Sequence, residues 1–185
     1  TENRVAIASK GSLRVVVIAT GRMAHSAYPE LGESAVDKLL EALQKLRRME
    51  LPADAEFGPS TLNIGVIEGG RAPNVIPDFA SAQLQYRLIG LSDVLRRNIE
   101  SAVRGLADAK FVLEIPFVKL RMVPGVPTMM ASFTTDIPNL SNWGEPLLIG
   151  PGSIHVAHTD LEFIEKAALL DAVELYCRIA RQLLV

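Results

Sequence analysis

The chain has 185 residues, with 19 Lys+Arg against 21 Asp+Glu and a formal net charge of -2. That length suits one large domain or two small ones, and 49% apolar with 22% charged residues excludes a disordered chain. The near balance of charge argues against a nucleic acid partner, which needs a basic surface. The longest uninterrupted apolar run, Val15 to Ala19, is too short to span a membrane.

No N-terminal signal segment is read, and the single cysteine, Cys177, cannot form an internal disulfide. Both fit a cytoplasmic location. The chain opens on Thr1 and holds only His25, His155 and His158, with no His-Glu-x-x-His and no Cys pair. The expectation is either a protein without catalysis or part of a larger enzyme.

In chain order, Leu13 to Thr20 reads as a β-branched strand. A polar loop follows, and Ser34 with Asp37 opens a helix whose Val36, Leu39, Leu40, Leu43 and Leu46 recur at helical spacing. TLNIGVIEGG is a second strand, with Leu62, Ile64 and Val66 sharing a face. A third places Ala82, Leu84, Tyr86 and Leu88 on one face and Gln83, Gln85 and Arg87 on the other. Ser92 and Asp93 start a second helix, with Leu95, Ile99, Ala102, Val103 and Leu106 inward. FVLEIPFV from Phe111 is a fourth strand, where Pro116 marks an edge or an end.

The order β-α-β-β-α-β between about residues 12 and 122 predicts an α+β, ferredoxin-like sandwich with one open sheet face. Beyond Val123 the text turns Pro-, Ser- and Thr-rich. LLIG then reads as a short strand, and a closing helix carries Leu169, Ala172, Val173, Tyr176, Ala180 and Leu183 as its stripe. One strand and one helix cannot build a core alone, so their apolar faces need further material.

Several polar residues could carry chemistry. His25, in the loop AHSAYP, is either a surface histidine or a hydrogen-bond donor to an anion or polarised carbonyl. His155 and His158 are a His-x-x-His pair in a Gly-Pro-Gly loop, as consistent with incidental loop residues as with a metal ligand. Asp160 and Glu162 read as ordinary capping of the final helix. Asn74, between two prolines, can hold a turn. Arg87, mid-strand on the polar face, is either solvated or placed to grip a carboxylate. GVIEGG and GPGS do not match phosphate-loop patterns.

GRMAHSAYPELGESAVDKLLEAL, TLNIGVIEGGRAPNVIPD followed by QLQYRL, and GPGSIHVAHTDLEFI occur in that order. Together they resemble the acetylornithine deacetylase / succinyl-diaminopimelate desuccinylase / glutamate carboxypeptidase family of dinuclear-zinc amidohydrolases, over nearly the whole chain. The resemblance implies a two-part zinc-binding catalytic domain interrupted by a ferredoxin-like lid that forms the dimer. Residues 6–122 would be the lid and 123–185 the last piece of the catalytic domain. Thr1 looks like the end of the family's Glu-Pro-Thr, so most metal ligands would precede this chain.

By the same resemblance, His158 in AHT is a zinc ligand, whereas His155 matches none. His25 is the lid histidine that reaches the partner subunit's active site and stabilises an oxyanion. Asn74 in PNVIP and Arg87 in YRL bind substrate, the arginine through a carboxylate. The implied cofactor is a pair of zinc ions, with cobalt as a substitute and no stoichiometric metal on this chain alone. The implied substrate is an N-acyl amino acid or short peptide, and the implied partner is a second copy. SFTTDIP departs from the family's Gly-Gly-Thr-Asp, keeping only Thr135 and Asp136. The competing expectation is a non-catalytic dimerisation or binding module.

Overall fold

A computed structural model describes residues 1–184. The first strands are β1 (Val5–Ser9), β2 (Gly11–Thr20) and β3 (Ala24–His25), followed by helix α1 (Ala35–Arg48). A short hairpin, β4 (Ala53–Asp54) and β5 (Gly58–Pro59), leads to β6 (Thr61–Gly69). Then come β7 (Val75–Ile76), β8 (Phe79–Leu88), α2 (Asp93–Val103) and β9 (Asp108–Ile115). The remaining elements are β10 (Val118–Lys119), β11 (Thr128–Ala131) and α3 (Lys166–Leu183). Among the described residues, no helix is long and apolar enough to cross a membrane.

The chain divides into two compact units. One is Gly11–Phe117; the other joins Thr1–Lys10 to the segment from Val118 onward. These boundaries lie five residues inside the expected 6 and 122 at each end. The reason is pairing: Ala8 and Ser9 of β1 face Lys119 and Val118 of β10, and β1 runs parallel to β11 on its other side.

The central unit is an α+β sandwich. Its antiparallel four-stranded sheet has the order β6-β8-β2-β9, the ferredoxin-like arrangement that the β-α-β-β-α-β order predicts. Apolar residues at every second position of β2 and β8, from Leu13 to Ala19 and from Ala80 to Leu88, are buried against the helices. Leu39, Leu43 and Leu46 of α1 and Leu95, Ile99 and Val103 of α2 complete that core. Ser34 caps α1, its hydroxyl accepting the Asp37 N–H at 3.1 Å. Ser92 makes no such bond; its hydroxyl donates to Glu114 at 2.6 Å instead.

Four details differ from the pattern reading. Leu40 belongs to the predicted stripe of α1 but is 53% exposed; Ala35 and Ala42 take its place inside. Val66 leaves the face of Ile64, because a bulge between them shifts the register. The bulge pairs Val66 with Gln83 and Ile67 with Ala82. β2 starts at Gly11 and β9 at Asp108, each earlier than expected, because the two strands pair with one another out to Ser12–Ile115 and Ile18–Asp108. Pro116 does stand just past the end of β9, an edge strand.

In the other unit, Leu147–Gly150 is irregular rather than a strand, although Leu148 accepts the Ala6 N–H at 2.9 Å. The α3 stripe is also displaced. Ala172 and Ile179 are buried, with Leu175 packed beside them, whereas Leu169, Val173, Tyr176 and Leu183 are exposed. Both sets recur at helical spacing, so α3 has two apolar faces and uses only one here.

Candidate functional site

His25 stands on a loop that the sheet end holds tightly. The Gly21 N–H donates to the Asp78 carbonyl at 2.8 Å, and the Arg22 and Glu33 backbones bond one another. A Cβ on Gly21 would come within 2.0 Å of the Glu33 carbonyl oxygen, so the loop closes only around glycine. Arg22 Nε bonds the Leu31 carbonyl at 2.7 Å. The far side of the loop pairs with the chain before β8: His25 faces Val75 across the β3–β7 ribbon, and the Ser26 N–H donates to the Asn74 carbonyl at 3.0 Å. Gly70, with φ 80°, turns the chain out of β6 toward Asn74.

The His25 ring is exposed and fixed at one edge. Its Nδ1 accepts the Ala27 N–H at 3.1 Å, and Tyr28 packs edge-on with ring centroids 6.3 Å apart. A neutral imidazole that accepts through Nδ1 carries its hydrogen on Nε2. That leaves an N–H donor at the exposed end of the ring. Asn74 is exposed beside it. The structure thus brings His25 and Asn74 together.

Arg87 is elsewhere. It pairs with Ser12 at one end of β8, while Phe79, at the other end, pairs with Thr20, just before the His25 loop. Eight residues of strand separate those levels, about 26 Å at 3.3 Å per residue. Arg87 lies on the open sheet face, and Arg14 stands near it, opposite Gln85, whose side-chain oxygen accepts from Arg14 Nε at 3.3 Å. Partial burial, and then the Arg14 charge, push the Arg87 guanidinium below its ordinary pKa. Neither arginine has a carboxylate partner among the described residues. Arg14 was not singled out by the sequence, because its neighbourhood depends on strand register.

His158 lies in the other unit, in the loop before α3. Its φ is 63°, and its backbone N–H donates to Glu162 Oε2 at 2.9 Å. Glu162 therefore does not cap the final helix, which begins at Lys166 with Glu165 before it. His158 also opens a His-x-Asp triplet with Asp160, which the pattern reading passed over. Among the described residues, no three His, Cys, Asp or Glu side chains form a group that could hold a metal. The His158 side chain is exposed. In the SFTTDIP segment, the Ser9 hydroxyl donates to the Phe133 carbonyl at 2.7 Å, and the Thr135 hydroxyl is buried without a partner.

The peptidase dimerisation domain model matches residues 7–111. A probable carboxypeptidase of Aspergillus niger is 37% identical over 197 residues, covering 95% of this chain and 47% of the relative. A peptidase M20 domain-containing protein of Sordaria macrospora is 38% identical over 186 residues, covering 95% and 41%. The chain thus spans less than half the length of these curated relatives. Among solved structures, the aminopeptidase PepT of Bacillus cereus superposes with a TM-score of 0.74 at 18% identity, over 97% of this chain and 54% of that one. A tripeptidase of Staphylococcus aureus gives 0.69 at 19% identity, over 98% and 56%. At such identities the structures speak for the fold. The family match and the curated relatives go further: the chain belongs to the M20 peptidase family and carries its dimerisation domain.

Proposed function

We propose that the full-length protein is a zinc-dependent hydrolase of the amide bond in N-acyl amino acids or short peptides, working as a homodimer in the cytoplasm. The wording GPGSIHVAHT favours the acetylornithine deacetylase branch. The observation that carries the proposal is the His25–Asn74 pair, with an Nε2–H donor aimed outward from a braced loop.

Zinc bound by His158 and ligands outside these residues would supply a nucleophile from water at neutral pH. The residues of this chain then have separate tasks. His25 donates its Nε2 hydrogen to the carbonyl oxygen as that oxygen gains charge, an interaction worth roughly 3 kcal/mol in the transition state. Asn74 offers its amide to the same end of the substrate. Arg87 binds the substrate carboxylate and orients the scissile amide.

The second copy docks at the β6 edge of the lid sheet rather than at the β9 edge. Ile67 of β6, 56% exposed, lines a groove with Ile64 and with Leu40 and Leu43 of α1. Two such edges related by a two-fold axis continue one sheet into the other and cover both grooves.

The test is turnover by the full-length protein, loaded with zinc or cobalt, on a panel of N-acetyl amino acids and short peptides. Hydrolysis of at least one class is expected; a wholly silent panel would leave only a binding module. Residues 1–185 alone are expected to show no amidase activity, since one histidine cannot hold a metal pair.

A further inference from the structure

A residue with a Cβ adopts positive φ rarely, although His is among those enriched there. Such backbone persists only where its surroundings hold it. At His158 the holding contact is specific. Glu162, four residues on, folds back so that its carboxylate accepts the His158 backbone N–H at 2.9 Å. The turn is closed twice more: the Glu162 N–H donates to the Thr159 carbonyl at 3.1 Å, and the Thr159 hydroxyl donates to the Val156 carbonyl at 2.7 Å. A charged acceptor makes the stronger kind of hydrogen bond. The Cα–Cβ direction at His158, and with it the path of the imidazole, follows from this φ.

We propose that Glu162 is the positioning residue for the His158 imidazole: its carboxylate fixes the left-handed backbone that aims the ring nitrogen. The inference rests on the reading of His158 as a metal ligand and deepens it. Glu162 acts through the backbone, not through a ring nitrogen. It is therefore a different device from the usual carboxylate partner of a ligating histidine.

The experiment compares the Glu162→Ala, Glu162→Asp, Glu162→Gln and His158→Ala variants of the full-length protein. Zinc affinity is measured by chelator competition, kcat and KM at saturating zinc, and the His158 amide resonance in 15N-labelled residues 1–185. Glu162→Ala is expected to lower zinc affinity about 10–100-fold, and to reduce kcat with KM nearly unchanged. Its His158 amide resonance should move upfield. Glu162→Asp keeps the charge but falls short of the N–H, so it should resemble Ala. Glu162→Gln keeps an oxygen acceptor and should recover most of the loss.

His158→Ala separates the two readings. Unchanged zinc binding in that variant removes the ligand assignment itself. Lost zinc binding there, with wild-type affinity in Glu162→Ala and Glu162→Asp, overturns the positioning role alone. Should Glu162→Ala fail to fold, Glu162→Asp decides: wild-type affinity and an unmoved His158 amide overturn the proposal.

Discussion

Arg87 faces Ser12 at one end of the lid sheet, whereas His25 leaves from the other end, beyond the Thr20–Phe79 pair. About 26 Å of strand lies between those levels. One amino-acid-sized substrate cannot touch both residues of the same copy. If both act on substrate, they come from different copies. Separately, His25→Ala and Arg87→Ala are each expected to lose at least 100-fold in kcat/KM, His25 mainly in kcat. Co-expressed with different tags, they should form mixed dimers with one intact and one doubly deficient site. The mixture should regain about a quarter of wild-type activity. A mixture no more active than either variant would end this division of roles.

The groove between α1 and β6 leads to a second expectation. Leu40 and Ile67 are more than half exposed, and among the described residues no strand pairs with the outer side of β6 within one copy. A charge placed there meets its own symmetry mate across an isologous contact. Leu40→Asp and Ile67→Asp should therefore shift the protein to monomer in light scattering with little change in the circular dichroism of the folded lid. Dimers of unchanged strength in both variants would place the interface elsewhere.

Tyr86 presents a stability test with the opposite sign to most core substitutions. Its ring is fully buried, and its hydroxyl has no hydrogen-bond partner. Burial pushes the phenol well above its ordinary pKa, so it stays neutral across the working range. An orphan hydroxyl costs about 1–3 kcal/mol of desolvation. Tyr86→Phe removes that cost while keeping the ring, and is expected to raise the melting temperature. A clear fall would mean that the hydroxyl is satisfied in solution.

Glu114 links β9 to α2. Partial burial pushes its carboxyl upward, but hydrogen bonds from the Ser92 hydroxyl and the Arg96 guanidinium, with the Arg96 charge, outweigh burial and hold it below the usual range. The Arg96 guanidinium also lies 4.5 Å from the Phe111 ring centre. A carboxyl lowered by folding adds stability above its unfolded pKa and loses it as pH falls through the folded value. Glu114→Gln should cost about 1 kcal/mol near pH 7, a modest figure because the pair is partly solvated. That difference should fade below about pH 4. Chemical denaturation at several pH values reads both effects, and a constant difference down to strongly acidic pH would refute the assignment.

Much of the lid was legible from the chain text. Alternation in β8 and the spacing of Leu39, Leu43 and Leu46 encode one buried face each. Ser34 announced its helix because a cap is a local hydrogen bond. The places that misled were those where a local pattern admits two answers. Leu40 stands about 60° of helix rotation from Leu43, at the flank of the buried stripe of α1, and only the position of the sheet shows that it stays outside. Val66 alternates correctly until a bulge turns it over, and the bulge depends on β8. The helix α3 has two apolar faces, and its sequence does not say which one meets Val5 and Val126.

By itself, then, the amino-acid sequence determined the four long strands and two helices of the lid, the closing helix, their order, the family resemblance and the residue types that could do chemistry, because each depends on near neighbours along the chain or on motif order. Tertiary structure decided which of those residues meet. Strand register put Asn74 beside His25, moved Arg87 to the opposite end of the sheet next to Arg14, and took Val5–Ser9 away from the lid to pair with Thr128–Ala131. It also turned Glu162 from an assumed helix cap into the partner of the His158 amide. Those outcomes rest on hydrogen bonds between strands and on backbone angles at single residues, and neither is written in the spacing of apolar positions.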